Sequence, residues 1–196
     1  MKKCEKLKQQ FISDSRLTQY KNIDEYFQNL KLCKQYYIPL SIIEIALRNS
    51  LNKFFSYKVD FDWLRSDSFI QDRSKKKIET AIKVLISENK NIHQDNILAE
   101  LSFGFFVVFF KQPYQQYLRY NDLKQIFPNL PSSKEKKINR HFVFTKLNNI
   151  RLFRNKVFHH DKIISKKEYQ NMMDEIYEVL SYFDQKIVNI TKDLNK

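Results

Sequence analysis

The sequence predicts an all-α protein, an antiparallel helical bundle in a single domain spanning residues 1–196. Three observations carry that expectation. Apolar residues recur with a 3.6-residue period along almost every segment, and no convincing run alternates with period two. Only four prolines interrupt the chain, so long helices are permitted. With 42% hydrophobic residues over 196 positions, the chain can bury one sizeable core.

Taken in order, the periodicity predicts a first helix within Lys3–Ser13 and a second across Leu17–Tyr37. Pro39 suits the first turn of a third, Leu40–Tyr57, where its missing N–H costs nothing. A loop through Asp60 and Trp63 leads to a helix near Phe69–Asn89. Asn96–Lys111 reads as helical and aromatic-rich, and Pro113–Phe127 continues after a break. Asn129 to Ser133 form a loop. Two capping boxes then mark the C-terminal pair of helices: Ser132-x-x-Glu135 before the penultimate one and Ser165-x-x-Glu168 before the last. Asp161–Ile164 is the expected tight connection between them. The last helix sets Ile176, Leu180, Phe183, Ile187, Ile190 and Leu194 at spacings of four and three, a seam for packing. The apolar run Phe103–Phe110 has no interleaved Lys or Arg, which favours a buried core or subunit interface over a base-stacking platform.

Composition narrows function. The formal net charge is +13 and the sequence pI about 9.6, an excess that implies a partner carrying phosphates. The lysines are spread throughout, so charge alone gives the partner's class and not the site. Glycine occurs once, at Gly104. A P-loop, a dinucleotide fingerprint and a kinase phosphate loop each need several glycines, so none can exist here. Cys4 and Cys33 show no CxxC spacing and cannot build a four-ligand zinc site; two free thiols in a reducing cytoplasm are expected. Met1 to Gln10 has no apolar core of a secretory signal, and an eight-residue apolar run is too short for a bilayer span. A soluble, cytoplasmic protein without a membrane partner, cofactor or metal is the expectation.

Candidate site residues emerge from charges that fall on apolar arcs. On a helix from Ile138 to His160, at about 100° per residue, Phe142, Val143, Leu147, Ile150, Phe153, Val157 and Phe158 share one broad apolar arc. Arg154 falls inside it. His141, Asn148, Asn155 and His159 line a separate polar stripe. A guanidinium on a core-facing arc must be paired, or must open into a cleft that holds an anion. Leu40, Ile43, Leu47, Leu51, Phe54 and Phe55 form a second arc, and Glu44 sits among them with Arg48 one turn on. Glu44 is thus a partner either for Arg154, as a residue that orients it, or for Arg48 as a simple i, i+4 pair. An arginine and a histidine a turn and a half apart can supply charge stabilisation and proton transfer for RNA cleavage.

Arg154-Asn155 followed by His159 resembles the R-[polar]-x3-H signature of HEPN-domain ribonucleases. Ile43 to Asn49 with the later Asp62-Trp63 is similar to the N-terminal pattern of the Abi-like (abortive infection) branch. Arg154 to His160 resembles that branch's C-terminal pattern, with Asp161 where its closest members carry glutamate. The matches span residues about 40 to 165. The resemblance implies a HEPN-like bundle with its motif on the penultimate long helix. It also implies a dimeric, metal-independent endoribonuclease of phage-defence or toxin type, with a composite site across the dimer. Residue by residue, it assigns proton transfer to His159, transition-state stabilisation to Arg154, and orientation of the imidazole or phosphate contact to Asn155. Glu44 and Arg48 are supporting residues, and Arg151, Lys156, His141 and Asn148 are RNA-binding candidates. The implied products are a 2′,3′-cyclic phosphate and a 5′-hydroxyl. Implied partners are an RNA substrate, a second copy of the chain, and a neutralising antitoxin or regulatory RNA. His160 faces the apolar margin, where helix-end packing is expected.

The chief alternative is a HEPN module that binds RNA or nucleotide without cutting it. A metal-dependent HD-type phosphohydrolase would need His141, His160-Asp161 and a later Asp174 or Asp184 to converge. On one continuous helix, however, His141 and His160 point about 100° apart. A membrane-surface protein is disfavoured because no helix combines a clean Lys/Arg face with an insertion face.

Overall fold

The computed structural model describes residues 11–132 and 138–196. The protein is all-α, and among the described residues every regular element is helical. A single turn, α1 (Asp14–Leu17), precedes the longest helix, α2 (Ile23–Lys58). At 36 residues α2 is about 54 Å long. Asn22 caps it, accepting from the Glu25 N–H at 2.9 Å. The sequence expectation of two helices meeting at Pro39 is corrected here: the helix runs through the proline. The missing hydrogen bond and ring clash cost about 3 kcal/mol. Against that, Leu40, Ile43, Leu47 and Leu51 are all buried on one continuous stripe, each contributing roughly 1.5–3 kcal/mol. Packing of the stripe wins. In the same turn the Ser41 hydroxyl donates to the Tyr37 carbonyl at 2.8 Å.

After a 3₁₀ turn at Trp63–Arg65 come α3 (Asp72–Ser87), α4 (Gln94–Glu100) and α5 (Phe103–Val107). The segment 96–111, expected as one helix, is interrupted because Leu101 and Ser102 are extended. Ser102 stands at the N-cap without a side-chain capping bond, and Glu44 of α2 accepts the Phe103 N–H at 2.8 Å, so a tertiary partner serves the new helix start. A 3₁₀ turn at Val108–Phe110 follows, and another at Gln112–Tyr117 replaces the start of the helix expected over 113–127. Only α6 (Tyr120–Ile126) of that segment is α-helical. Phe103, Phe105, Phe106, Phe109 and Phe110 are fully buried, so this run is core. Trp63 lies in the same aromatic cluster, its ring 5.3 Å from Phe109, with its indole N–H donating to Asn52 at 2.9 Å.

The C-terminal helices are α7 (Arg140–Phe158), α8 (Met172–Phe183) and α9 (Gln185–Leu194). Neither expected capping box opens its helix. Asn139 caps α7, accepting from the Phe142 N–H at 2.8 Å; Glu135, like Cys4 and most of the helix expected over Lys3–Ser13, lies outside the described residues. Ser165 has φ 62° and belongs to the connection, which runs from His159 to Asn171 rather than through four residues. The expected last helix is two. Asp184 is extended and accepts from the Lys186 N–H at 2.8 Å, a strong N-cap choice for a new start. The change of direction takes Ile190 and Leu194 out to solvent and buries Val188 and Thr191 instead.

The centre of the molecule is α2, which packs against α5, α6, α7, α8 and α9. Its partners on α7 run in opposite order: Glu44 meets Arg154, Tyr37 meets Phe158, and Asn29 meets Asp161 just past the helix end. The two helices are therefore antiparallel. Among the described residues no helix is long and apolar enough to cross a membrane.

Asn29 is fully buried and ties down the connection after α7. Its Oδ1 accepts from the Ile163 and Ile164 N–H groups at 2.7 and 3.0 Å, and its Nδ2 donates to the Asp161 carbonyl at 3.0 Å. Truncating it would strand two N–H groups in a low-dielectric setting. Asn29→Ala should therefore lower unfolding free energy by roughly 2–4 kcal/mol, measured by urea titration; a loss under about 0.5 kcal/mol, the range of neutral surface changes, would contradict this clamp.

Candidate active site

The candidate site is built where α7 ends against the middle of α2. Val143, Leu147, Ile150, Phe153 and Val157 are buried along α7, as its apolar arc requires. Arg154 projects among them. Its Nη2 donates to the Glu44 carboxylate at 3.2 Å, with about a quarter of the arginine side chain and a fifth of the glutamate side chain exposed. The guanidinium carbon lies 4.2 Å from the Phe158 ring centroid, a cation–π contact. Phe158 in turn stacks on Tyr37, with centroids 5.6 Å apart. Thus Arg154 is held from two sides, while its Nε is buried with no hydrogen-bond partner. That orphan donor is costly to leave unmet.

His159 is the C-cap of α7, its N–H donating to the Asn155 carbonyl at 3.0 Å. The residue is exposed. Helix α7 therefore stops one residue short of His159, and the continuous helix expected through His160 is corrected. His160 takes φ 55°, a left-handed conformation in which histidine is enriched. Arg16 closes the helix end, donating to the His160 carbonyl at 3.1 Å and to the His159 carbonyl at 3.5 Å. A cation at exposed C-terminal carbonyls is also favoured by the helix dipole. No hydrogen bond joins the Arg154 and His159 side chains; what they share is the last turn of one helix.

The remaining candidates divide. Glu44 reaches Arg154 and not Arg48, whose Nε instead faces Asn49 Oδ1 at 3.4 Å. Lys156 pairs with Asp161 at 3.0 Å, which raises the lysine's pKa through the hydrogen bond and the adjacent charge. Arg151 donates to Asn148 Oδ1 at 3.1 and 3.0 Å. His141 is exposed at the far end of α7, 6.4 Å from the Phe144 ring. Asn155 contributes its carbonyl to His159, and its side chain is half-buried. Trp63 and Asp62 are architectural: Asp62 pairs with Arg65 at 2.6 Å. His160 lines an apolar trough with Tyr26, Cys33, Tyr37 and Val157. Burial raises the Cys33 thiol pKa, the dominant effect there.

Sequence reasoning missed Arg16, Asn29 and the Phe103 N–H. Asn29 carried a usable signal, since it interrupts the apolar stripe of Tyr26, Cys33 and Tyr36 just as Glu44 interrupts the next turns. Arg16 and Phe103 carried none. Among the described residues no group of three or more His, Cys, Asp or Glu side chains is placed to hold a metal ion, so the H…HD…D convergence is not formed.

Glu44 gives a direct test. Glu44→Gln keeps an acceptor for the Phe103 N–H but removes the charge opposite Arg154. It should lower stability by about 1–2 kcal/mol, discounted for the pair's partial exposure. Glu44→Ala should cost more because both partners lose their acceptor. Equal melting temperatures for wild type and both variants would show the bridge to be unimportant.

No protein-family model, curated protein or solved structure matches this chain.

Proposed function

We propose that this protein is a metal-independent endoribonuclease of HEPN type, acting in phage defence or as a toxin through a site shared by two copies of the chain. The observation that carries the reading is the Glu44–Arg154 ion pair, which holds a partly exposed guanidinium at the same helix end as an exposed histidine. Fixed donors aimed at developing charge, beside a group able to carry a proton, are what phosphodiester cleavage requires. The +13 net charge fits an RNA substrate.

In this mechanism the neutral His159 imidazole takes the proton from a ribose 2′-OH. The 2′-oxygen attacks phosphorus, the P–O5′ bond breaks, and the leaving oxygen takes a proton from the imidazolium of the second copy's His159. A 2′,3′-cyclic phosphate and a 5′-hydroxyl result. Arg154 stabilises charge on the non-bridging oxygens of the pentacoordinate transition state. Two-fold pairing supplies both acid and base from one sequence. The apolar trough of about 670 Å³ beside Val157 and Phe158, with Tyr37 58% exposed on its rim, gives such a contact something to bury.

The purified protein should cleave single-stranded RNA in excess EDTA. His159→Ala and Arg154→Ala should each abolish cleavage while circular dichroism shows a folded chain. Arg154→Lys should also fail, because an ammonium lacks the planar fork, whereas His160→Ala should keep substantial activity. Cleavage lost with chelator and restored by magnesium or manganese would exclude the mechanism, as would a fully active His159→Ala protein.

For the shared site, wild-type and His159→Ala chains are mixed under exchange conditions. If both histidines are needed, an equal mixture should retain about a quarter of wild-type activity, from random pairing of two-fold partners. A linear decline with wild-type fraction would mean that each protomer acts alone. A second reading, an RNA-binding module that does not cut, is favoured by one observation: Arg154 and His159 make no hydrogen bond to each other. Binding without cleavage in the same assay would establish it.

A further inference from the structure

One cluster of cations lies away from the Arg154–His159 pair. Between α3 and α7 lies a cavity of about 520 Å³ whose walls carry Arg73, Lys77, Lys111 and Arg151 and no carboxylate. Lys111 and Phe144 also line an adjoining cavity of about 580 Å³, together with Arg140 and His141. That second cavity has no carboxylate either. Through these shared residues the two adjoin as one groove carrying five cations. On α3, Asp72 lines a further cavity with Asp67, which Arg73 also borders and where Lys75 pairs with Asp67 at 2.7 Å.

Several lysines elsewhere are matched with acids: Lys58 with Asp122, Lys146 with Glu178, Lys162 with Glu25. In the groove, among the described residues, Arg151 reaches only the amide oxygen of Asn148, Arg140 donates to the Phe110 carbonyl, and Arg73, Lys77 and Lys111 have no ion-pair partner. Several like charges around one cavity repel each other unless an anion joins them. The groove also has a built-in ring. Phe144 is half-buried at the junction of the two cavities, with Lys111 5.9 Å from its centroid. Cations flanking an aromatic face suit a single strand, with phosphates on the charges and a base on the ring. The chain's one glycine serves the same wall. A Cβ on Gly104 would stand 3.3 Å from Arg151 Cδ, so glycine here lets the arginine stem lie across α5.

We propose that this groove is a binding track for single-stranded RNA. On α7, His141, Phe144, Asn148 and Arg151 follow steps of three and four along one helix face, with Arg140 four residues before Phe144. Asn155 continues that face, and His159 lies about 12 Å beyond Arg151 along the axis at 1.5 Å per residue. The track therefore leads toward the helix end that carries the cleavage chemistry. That direction rests on the function proposed above; binding in the groove does not.

The test uses a short fluorescein-labelled 2′-O-methyl RNA, which cannot be cut because its 2′-oxygen is blocked, and reads anisotropy against salt concentration. The triple variant Arg73→Gln/Lys77→Gln/Arg151→Gln should bind at least about ten-fold more weakly. Its slope of log K against log salt should be shallower by about 2, near 0.7 for each of three lost single-strand phosphate contacts. A charge-matched triple in and just beyond α9, Lys186→Gln/Lys192→Gln/Lys196→Gln, should change the slope far less. Phe144→Leu should weaken binding about ten-fold with the slope unchanged, as loss of a stacked base predicts; Phe144→Tyr should bind like wild type and guards against a packing artefact. His159→Ala should bind like wild type. If the groove triple matches the α9 triple, the track is overturned even where wild-type protein cleaves RNA. If the groove triple loses only its attachment to phosphatidylserine vesicles while RNA affinity stands, the groove is a membrane contact and the proposal is wrong. A groove that fails in binding while His159→Ala still cleaves would support the track and remove the catalytic assignment instead.

Discussion

Glu44 joins three helices, and the arrangement around the candidate site depends on it. A carboxylate on the apolar stripe of α2 is tolerable only if both oxygens find donors. One accepts the Phe103 N–H at the start of α5, and the other accepts from Arg154 on α7. This single group therefore sets where α5 begins and where the guanidinium points. It also makes α5 a wedge: Phe103 faces the ion pair, while the next residue, Gly104, lies against Arg151 and the basic groove. Arg151 of the groove and Arg154 of the ion pair thus stand three residues apart on α7.

The C-terminal end of α7 is fixed by a different device. Asn29 accepts from two backbone N–H groups of the following connection, and Arg16 caps the last carbonyls. Glu25 and Lys162 add a 3.1 Å ion pair to the same region. The Glu25 carboxyl is held below its ordinary pKa chiefly by the Lys21 N–H that it accepts, with Lys162 assisting. The backbone of His159 is thus positioned by residues far away in sequence, while its ring stays at the surface.

Charge is organised by the same logic. Where helices pack closely, lysines are matched with carboxylates, as Lys146 is with Glu178 at 2.6 Å. Between α3 and α7, Arg73, Lys77, Lys111 and Arg151 line a cavity that has no carboxylate, which makes a local positive field there.

The sequence by itself determined the helical class, the buried stripes of α2 and α7, the burial of the aromatic run, and the two charges that had to find partners. Those follow from periodicity and from the cost of burying a charge, both local in origin. It also limited chemistry, since one glycine forbids the common phosphate-binding loops. Tertiary structure alone decided where helices start and stop. Pro39 did not end α2 because the stripe's packing outweighs one lost hydrogen bond, and α5 begins at Phe103 because Glu44 lies opposite its N–H. The capping boxes at Ser132 and Ser165 matched a local rule, but Asn139 took one helix start and the connection held by Asn29 absorbed Ser165. The choice of Arg154 over Arg48 for Glu44 was likewise beyond the sequence. An i, i+4 pair and a contact between distant helices have similar local plausibility, and only the antiparallel packing of α2 on α7 brings the second within 3.2 Å.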